Sequence, residues 1–435
     1  MFFPYPAIAA TLESLMIKPT VPKFASLLLG VTISVFVPSA IAQSPVLEQN
    51  TVPLTPKQLV ETAWRIVDQS YLDSRFNGQN WKTLQQQYLT RSYSSSEAAY
   101  SAIRELLAHL GDPYTYFVSP EEYQVLQPDP EQAGIGLQFV ETTNRQIVVI
   151  APNQGSSSAI AGILPQDILK TIEGRSVQAL GVYRVAGLLQ GKSGTSVKLV
   201  VQRGNRDLAI EVVRQKTSIA AIRSEIQTVA GTKVGFIQAL QLSSRAVSEM
   251  QAAIESLEQQ GVKGYILDLR SNPSSSFEAA IAIAQMWLRG GNIVSIVRRQ
   301  GQPETETASQ AALSDKPLVV LVDRGTANVS EILAASLQDW QRAKLVGTRT
   351  FGNSHIQSLL PLADGSAVSV TVAKWVTPSG KDVHGTGLQP DIRLELTPEQ
   401  QSAILQDSRK AGTESDRQYI KAVAILMQQI TSNRK

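Results

Sequence analysis

The sequence predicts a multidomain chain of mixed α+β and α/β class, and three observations carry that expectation. The chain has 435 residues, 43% hydrophobic and 18% charged, a globular mixture long enough for two or three domains. The hydrophobic period changes twice along it, from helical spacing to short strands and then to strands alternating with helices. Cysteine is absent, so the fold rests on packed cores and not on disulfides or metal ribbons.

Residues 1–42 read as an export signal. Residues 24–42 carry no charge, Lys18 and Lys23 precede them, Pro38 lies near the end, and Ala40-Ile41-Ala42 is a small-x-small cleavage pattern before Gln43. An uncleaved membrane anchor is the alternative reading, and Met16 gives a more ordinary signal start than Met1. Residues 43–56 are a polar, Pro-containing linker. Residues 57–126 form a helical N-terminal region. Ser94 and Glu97 are spaced as a capping box, Ala99, Ile103, Leu106, Leu107 and Leu110 follow at helical spacing, and Gly111 stops the helix. Residues 127–215 turn to strands over 134–140, 146–150, 164–172 and 196–203, with a short helix over 182–189. Residues 216–395 alternate strands at 234–237, 264–270 and 318–322 with helices at 245–260, 277–288 and 330–343, which implies a mainly parallel sheet with covering helices. Thr397-Pro398-Glu399-Gln400 caps a C-terminal helical region over 396–435.

Composition excludes several functions. A net charge of +3 without a Lys/Arg block argues against nucleic acid as a partner. His109, His355 and His384 lie far apart without ligand spacing, so no metal and no cofactor is expected. His109 sits near a helix C-terminus, where a positive imidazole is favourable, and His384 reads as a structural turn residue.

Several phrases together resemble the C-terminal processing (tail-specific) serine peptidases with an inserted PDZ domain. Leu110-Gly111-Asp112-Pro113-Tyr114-Thr115 resembles the end of their helical region. Residues 134–140, 164–172 and 189–195 resemble their PDZ domain. Leu267-Asp268-Leu269-Arg270, with Asn272-Pro273, resembles a strand of their peptidase core, and Ser330-Glu331-Ile332-Leu333 their catalytic helix. Thr350-Phe351-Gly352 and His384-Gly385 belong to the closing phrases. The resemblance implies a Ser nucleophile, the middle Ser of Gly-Ser-Ala-Ser-Ala-Ser-Glu, and a Lys base after Phe-Gly. Here those positions hold Asn328 and Asn353, twenty-five residues apart. An amide is neither a serine-like nucleophile nor a base near neutral pH. Asp339 and Gln357, which flank the family's site, are retained. The family's paired glycines of the oxyanion region are replaced by Ser274-Ser275-Ser276, and Val329 follows the nucleophile position.

The expectation is an exported pseudopeptidase, in a periplasm or thylakoid lumen, that binds C-terminal tails or unfolded peptides. Gly134-Ile135-Gly136-Leu137 would receive a terminal carboxylate, and Arg184, Val185 and Leu188 would line the side-chain pocket. Such a chain could protect tails, present them, or regulate an active homologous peptidase by mixed assembly. A membrane contact is expected only through an uncleaved signal. Two alternatives stay open. One is an active serine endopeptidase with a relocated Ser330/His355 pair, also twenty-five residues apart, with Ser330 otherwise read as a helix cap. The other is a non-enzymatic scaffold.

Overall fold

The computed structural model describes residues 54–124, 132–142, 144–178, 180–216 and 221–432. The export signal, most of the linker and the Met1/Met16 question lie outside the described residues. The N-terminal region packs α1 (Pro56–Ser70), α2 (Trp81–Leu89) and α3 (Ser96–Ala108) before a strand, β1 (Tyr116–Val118). Helix α1 starts on a capping box of Thr55 and Gln58 with Pro56 at its first turn. The cap of α3 is Ser95, whose hydroxyl accepts from the Ala98 N–H, one residue after the position expected from the sequence. His109 ends α3, and its Nε2 meets the Tyr88 hydroxyl at 3.3 Å.

The second part is a small β-domain. Strands β2 (Leu137–Glu141), β3 (Ile147–Pro152), β4 (Ile168–Ile172), β5 (Ser196–Arg203) and β6 (Arg206–Val213) pair in that order, with helix α4 (Val182–Leu189) packed beside β2. The ends of the domain meet, because the Gln215 N–H donates to the Gly134 carbonyl at 2.9 Å.

The core begins with the hairpin β7 (Ile222–Val229) and β8 (Thr232–Ala239), then α5 (Ser244–Gln259), β9 (Tyr265–Asp268) and α6 (Phe277–Gln285). It continues with β10 (Gly291–Arg298), β11 (Glu304–Ala308), β12 (Leu318–Val322), α7 (Val329–Asp339), β13 (Ala343–Gly347), β14 (His355–Pro361), β15 (Ala367–Val376) and β16 (Ile392–Arg393). One sheet has the order β7-β8-β9-β12-β13-β16, parallel except for the first pair. Its central strand Leu318–Val322 is buried throughout, as an uninterrupted apolar run between covering layers requires. One covering layer is α5, α6 and α7, and the other includes the C-terminal helix α9 (Arg417–Ser432), which follows α8 (Pro398–Gln406). Helix α8 starts on a capping box of Thr397 and Gln400.

A second, antiparallel sheet was not expected. It pairs β1, β15, β10 and β11, with β14 beside β15. Tyr116 opposes Ser369, so the N-terminal region is stitched into the core. Asp112 strengthens the seam by accepting from the hydroxyls of Thr115 and Thr371, each at 2.7 Å. Helix α7 also ends sooner than expected, at Asp339 and not near 343. Gln341 takes φ 53°, which turns the chain so that Ala343 can join the sheet.

Candidate functional site

Three loops leave the carboxyl ends of neighbouring parallel strands β9, β12 and β13 and converge, as expected at such an edge. Buried Asp323 knots two of them together. Its carboxylate accepts from the N–H groups of Ser271 at 2.7 Å and Gly325 at 2.9 Å. Asn272 does the same lower down, donating to the Ala239 carbonyl at 2.6 Å and accepting from the Ser330 hydroxyl at 3.0 Å.

Asn328 stands just before α7 with φ 55° and ψ −123°, a backbone region that few side chains tolerate. Its Nδ2 donates to the Pro273 carbonyl at 3.2 Å. Its Oδ1 accepts from Asn353 Nδ2 at 2.8 Å. The structure therefore brings Asn328 and Asn353 together, and both are buried, 7% and 5% exposed. Neither amide supplies a nucleophile or a proton acceptor.

The backbone donors nearby are engaged. The Val329 N–H donates to the Ser274 carbonyl at 3.3 Å, and the Ser274 N–H donates to Asn272 Oδ1 at 3.3 Å. A developing oxyanion would have to displace these acceptors.

Glu331 is the residue whose part the sequence reading missed. It is fully buried in the first turn of α7. It accepts from the Thr350 hydroxyl, the Gly352 N–H at 2.8 Å and the Asn353 N–H at 3.0 Å. Burial pushes its carboxyl up to about 7, and those donors hold it below a still higher value. The signal in the sequence was an acid set against the apolar run Ile332–Ala335; the fold buries every residue from Val329 to Leu337, so that acid had to find donors inside the protein. Gly352 turns at φ 91°, and a Cβ there would stand 2.6 Å from the Gly387 N atom, so the loop carrying Asn353 depends on that glycine.

Other expected residues fall elsewhere. Asp339 does not flank the asparagine pair. It lies exposed at the far end of α7, about 16 Å along the helix at 1.5 Å per residue, and accepts from the Ser379 N–H at 2.9 Å. Gln357 lies buried on β14 with its Nε2 unpartnered among the described residues. Ser330 does not cap α7, since Asn328 occupies that position. His355 and Ser330 share no hydrogen bond among the described residues. The His355 ring stacks on His384 with centroids 3.7 Å apart, and Tyr114 meets both rings edge-on at 5.9 Å. Burial, and then the neighbouring His384, depress His355 to about 4, which makes it a poor base. The sequence reading treated these histidines as unrelated, and the fold stacks them. Parallel rings do not aim their nitrogens at one point, so they make no chelate.

In the small domain, the Gly136 carbonyl accepts from the Asn153 N–H at 2.7 Å and from the Ser158 hydroxyl at 2.9 Å. The planar trans peptide then directs the Leu137 N–H away from that anchor. Ile135 and Leu137 bury their side chains in the domain core. Gly136 has φ 69°, and a Cβ there would lie 2.4 Å from Ser156 Cβ. Among the described residues β2 has a strand neighbour on one side only, the arrangement that accepts an added strand. Arg184 is exposed and Leu188 half-buried, but Val185 has no accessible surface and belongs to the core, so it cannot line a pocket.

Comparison with known proteins agrees with this architecture. Residues 233–394 match Peptidase family S41, and residues 133–213 match the PDZ domain. A carboxyl-terminal-processing protease of Synechocystis sp. is 42% identical over 345 residues, 78% of this chain and 81% of its own. A chloroplastic C-terminal processing peptidase of Tetradesmus obliquus is 35% identical, over 77% of this chain and 76% of its own. The solved photosystem II D1 C-terminal processing protease superposes with a TM-score of 0.74 at 32% identity, over 82% of this chain and 99% of that one. On the fold, the two matched domains and this identity along most of its length, the chain belongs to the C-terminal processing peptidases of family S41 with an inserted PDZ domain.

Proposed function

We propose that this chain is a pseudopeptidase of its family, which binds C-terminal tails or unfolded peptides and does not cut them. The observation that carries this reading is the 2.8 Å hydrogen bond between the amides of Asn353 and Asn328, at the positions where the family resemblance puts a lysine base and a serine nucleophile. The Val329 N–H, turned into the Ser274 carbonyl, argues the same way. Loss of the acting pair in a comparable protease costs roughly a million-fold in turnover. The binding half of the reading rests on the Gly136–Leu137 turn and the one-sided β2 edge. Export to a periplasm or thylakoid lumen rests on the apolar segment 24–42, and the relatives named chloroplastic or drawn from cyanobacteria are compatible with it.

The test is digestion of an unstructured protein by the purified chain beside its Asn328→Ser/Asn353→Lys variant. The parent is expected to leave the substrate intact. The variant is expected to gain cleavage, and Ser274→Gly added to it to raise that cleavage by freeing the loop that now occupies the Val329 N–H. Cleavage by the parent that Ser330→Ala abolishes overturns the reading in favour of a relocated site.

A further inference from the structure

A cavity of about 590 Å³ opens between the N-terminal region, the PDZ domain and the core. That is the size of a site for a peptide segment and far larger than a single small ion needs. Its wall includes Arg324 and Arg349. The two are related by the sheet. Strands β12 and β13 pair in parallel with Val322 opposite Gly347, and each arginine stands two residues beyond. The loops stay side by side past the strands, since the Phe351 N–H donates to the Thr326 carbonyl at 3.0 Å. Adjacent strands lie about 4.8 Å apart, so the register sets the two arginine backbones next to each other at the carboxyl edge.

Both arginines are exposed, and neither takes part in an ion pair among the described residues. The acids in the same wall are already engaged. Asp73 accepts from the N–H groups of Arg75 and Asn77, Asp112 from Thr115 and Thr371, and Glu141 pairs with Arg145 at 3.3 Å. Glu395, whose carboxylate feels Arg324, pairs with Arg393 at 2.6 Å. Two exposed guanidinium groups on one cavity wall, neither held in an ion pair among the described residues, can receive an anion, and guanidinium forks fit a carboxylate in particular.

We propose that Arg324 and Arg349 bind the terminal carboxylate of an extended peptide lying in this cavity, a carboxylate site separate from the PDZ loop. This rests on the reading that the chain binds tails. The probe is a fluorescein-labelled Gly/Ser peptide ending in Leu-Ala, titrated by anisotropy as the free acid and as the C-terminal amide. The parent is expected to prefer the acid, and Arg324→Gln/Arg349→Gln to lose about ten- to a hundred-fold of affinity for the acid alone. Gly136→Ala, which disturbs the PDZ loop, is expected to weaken the acid yet still prefer it to the amide, and the two arginine substitutions added to it to abolish that remaining preference. Both arginines are exposed, so thermal melts should match the parent, and each single variant repeats the readout if the double variant does not fold.

A preference that survives in the arginine variant but disappears in Gly136→Ala returns the carboxylate to the PDZ loop; the arginine site then fails while tail binding stands. A parent that binds neither peptide removes both readings. Inorganic phosphate that displaces the peptide, binds as tightly and needs the same arginines makes the ligand a free anion, which overturns the peptide assignment.

Discussion

Glu331 is a single residue that ties the stability of the fold to pH. Its carboxyl is buried among hydroxyl and backbone N–H donors, and burial raises it from 4.5 to about 7. Between those values the folded state holds a proton that the unfolded state has lost. Glu331 therefore stabilises the protein most below about pH 4.5, and this contribution is lost as pH rises toward 7, by about 3 kcal/mol. His355 acts the other way, because its depressed value removes stability as pH falls from 6.5 toward 4. The two overlap, so the measurement is a difference of melting temperature against pH between the parent and Glu331→Gln. The variant is expected to lose the decline between pH 4.5 and 7 and keep the acid-side decline. Parallel profiles would place the Glu331 titration outside that window.

At the scale of elements, the parallel strands end in polar loops that must satisfy themselves without solvent. Arg270, just beyond β9, is the clearest case. It is buried and bonds Asp268 and Asp416, each at 2.6 Å, which ties the C-terminal helix α9 to the sheet. Arg270→Met leaves two buried carboxylates facing each other, and the expected cost is about 3–5 kcal/mol in urea unfolding. A loss below 1 kcal/mol would mean that the acids take up protons or water at little cost. The same element scale explains the shortened α7. Its apolar run Ile332 to Leu337 continues the helical pattern, but pairing of Ala343 with Leu318 in the sheet outweighs a further turn.

At the scale of the whole molecule, the PDZ domain is an insertion whose two ends meet at Gly134 and Gln215. Most of its core is its own; Val118 and Ala367 join it from outside, Tyr116, Tyr123 and Leu359 pack against it, and Leu405 meets Ala159 and Leu164. Residues 133–216 are therefore expected to fold alone, and the rest of the chain, with that segment replaced by a short Gly/Ser linker, to keep its cooperative melt. The exposed Val118 and Ala367 should lower that melt by a few degrees. Calorimetry decides: a remainder that melts without a heat-absorption peak would make the PDZ domain part of the core's cooperative unit.

The amino-acid order alone determined the alternation of β12, α7 and β13, the short helix Val182–Leu189, the cap at Thr397, and the register that makes Asn328 and Asn353 counterparts. Those are local features, set by hydrophobic period, capping chemistry and a spacing that the parallel sheet preserves. The antiparallel sheet, the stacked histidines, the exposure of Asp339, the burial of Val185 and the placing of Arg324 and Arg349 on one cavity wall belong to the tertiary structure. Each depends on segments far apart in the chain: Tyr116 reaches Ser369, and His355 reaches His384. Local pattern carries no information about which distant surface a side chain will meet, and that meeting decides whether a polar group is a buried partner, a surface charge or a binding site.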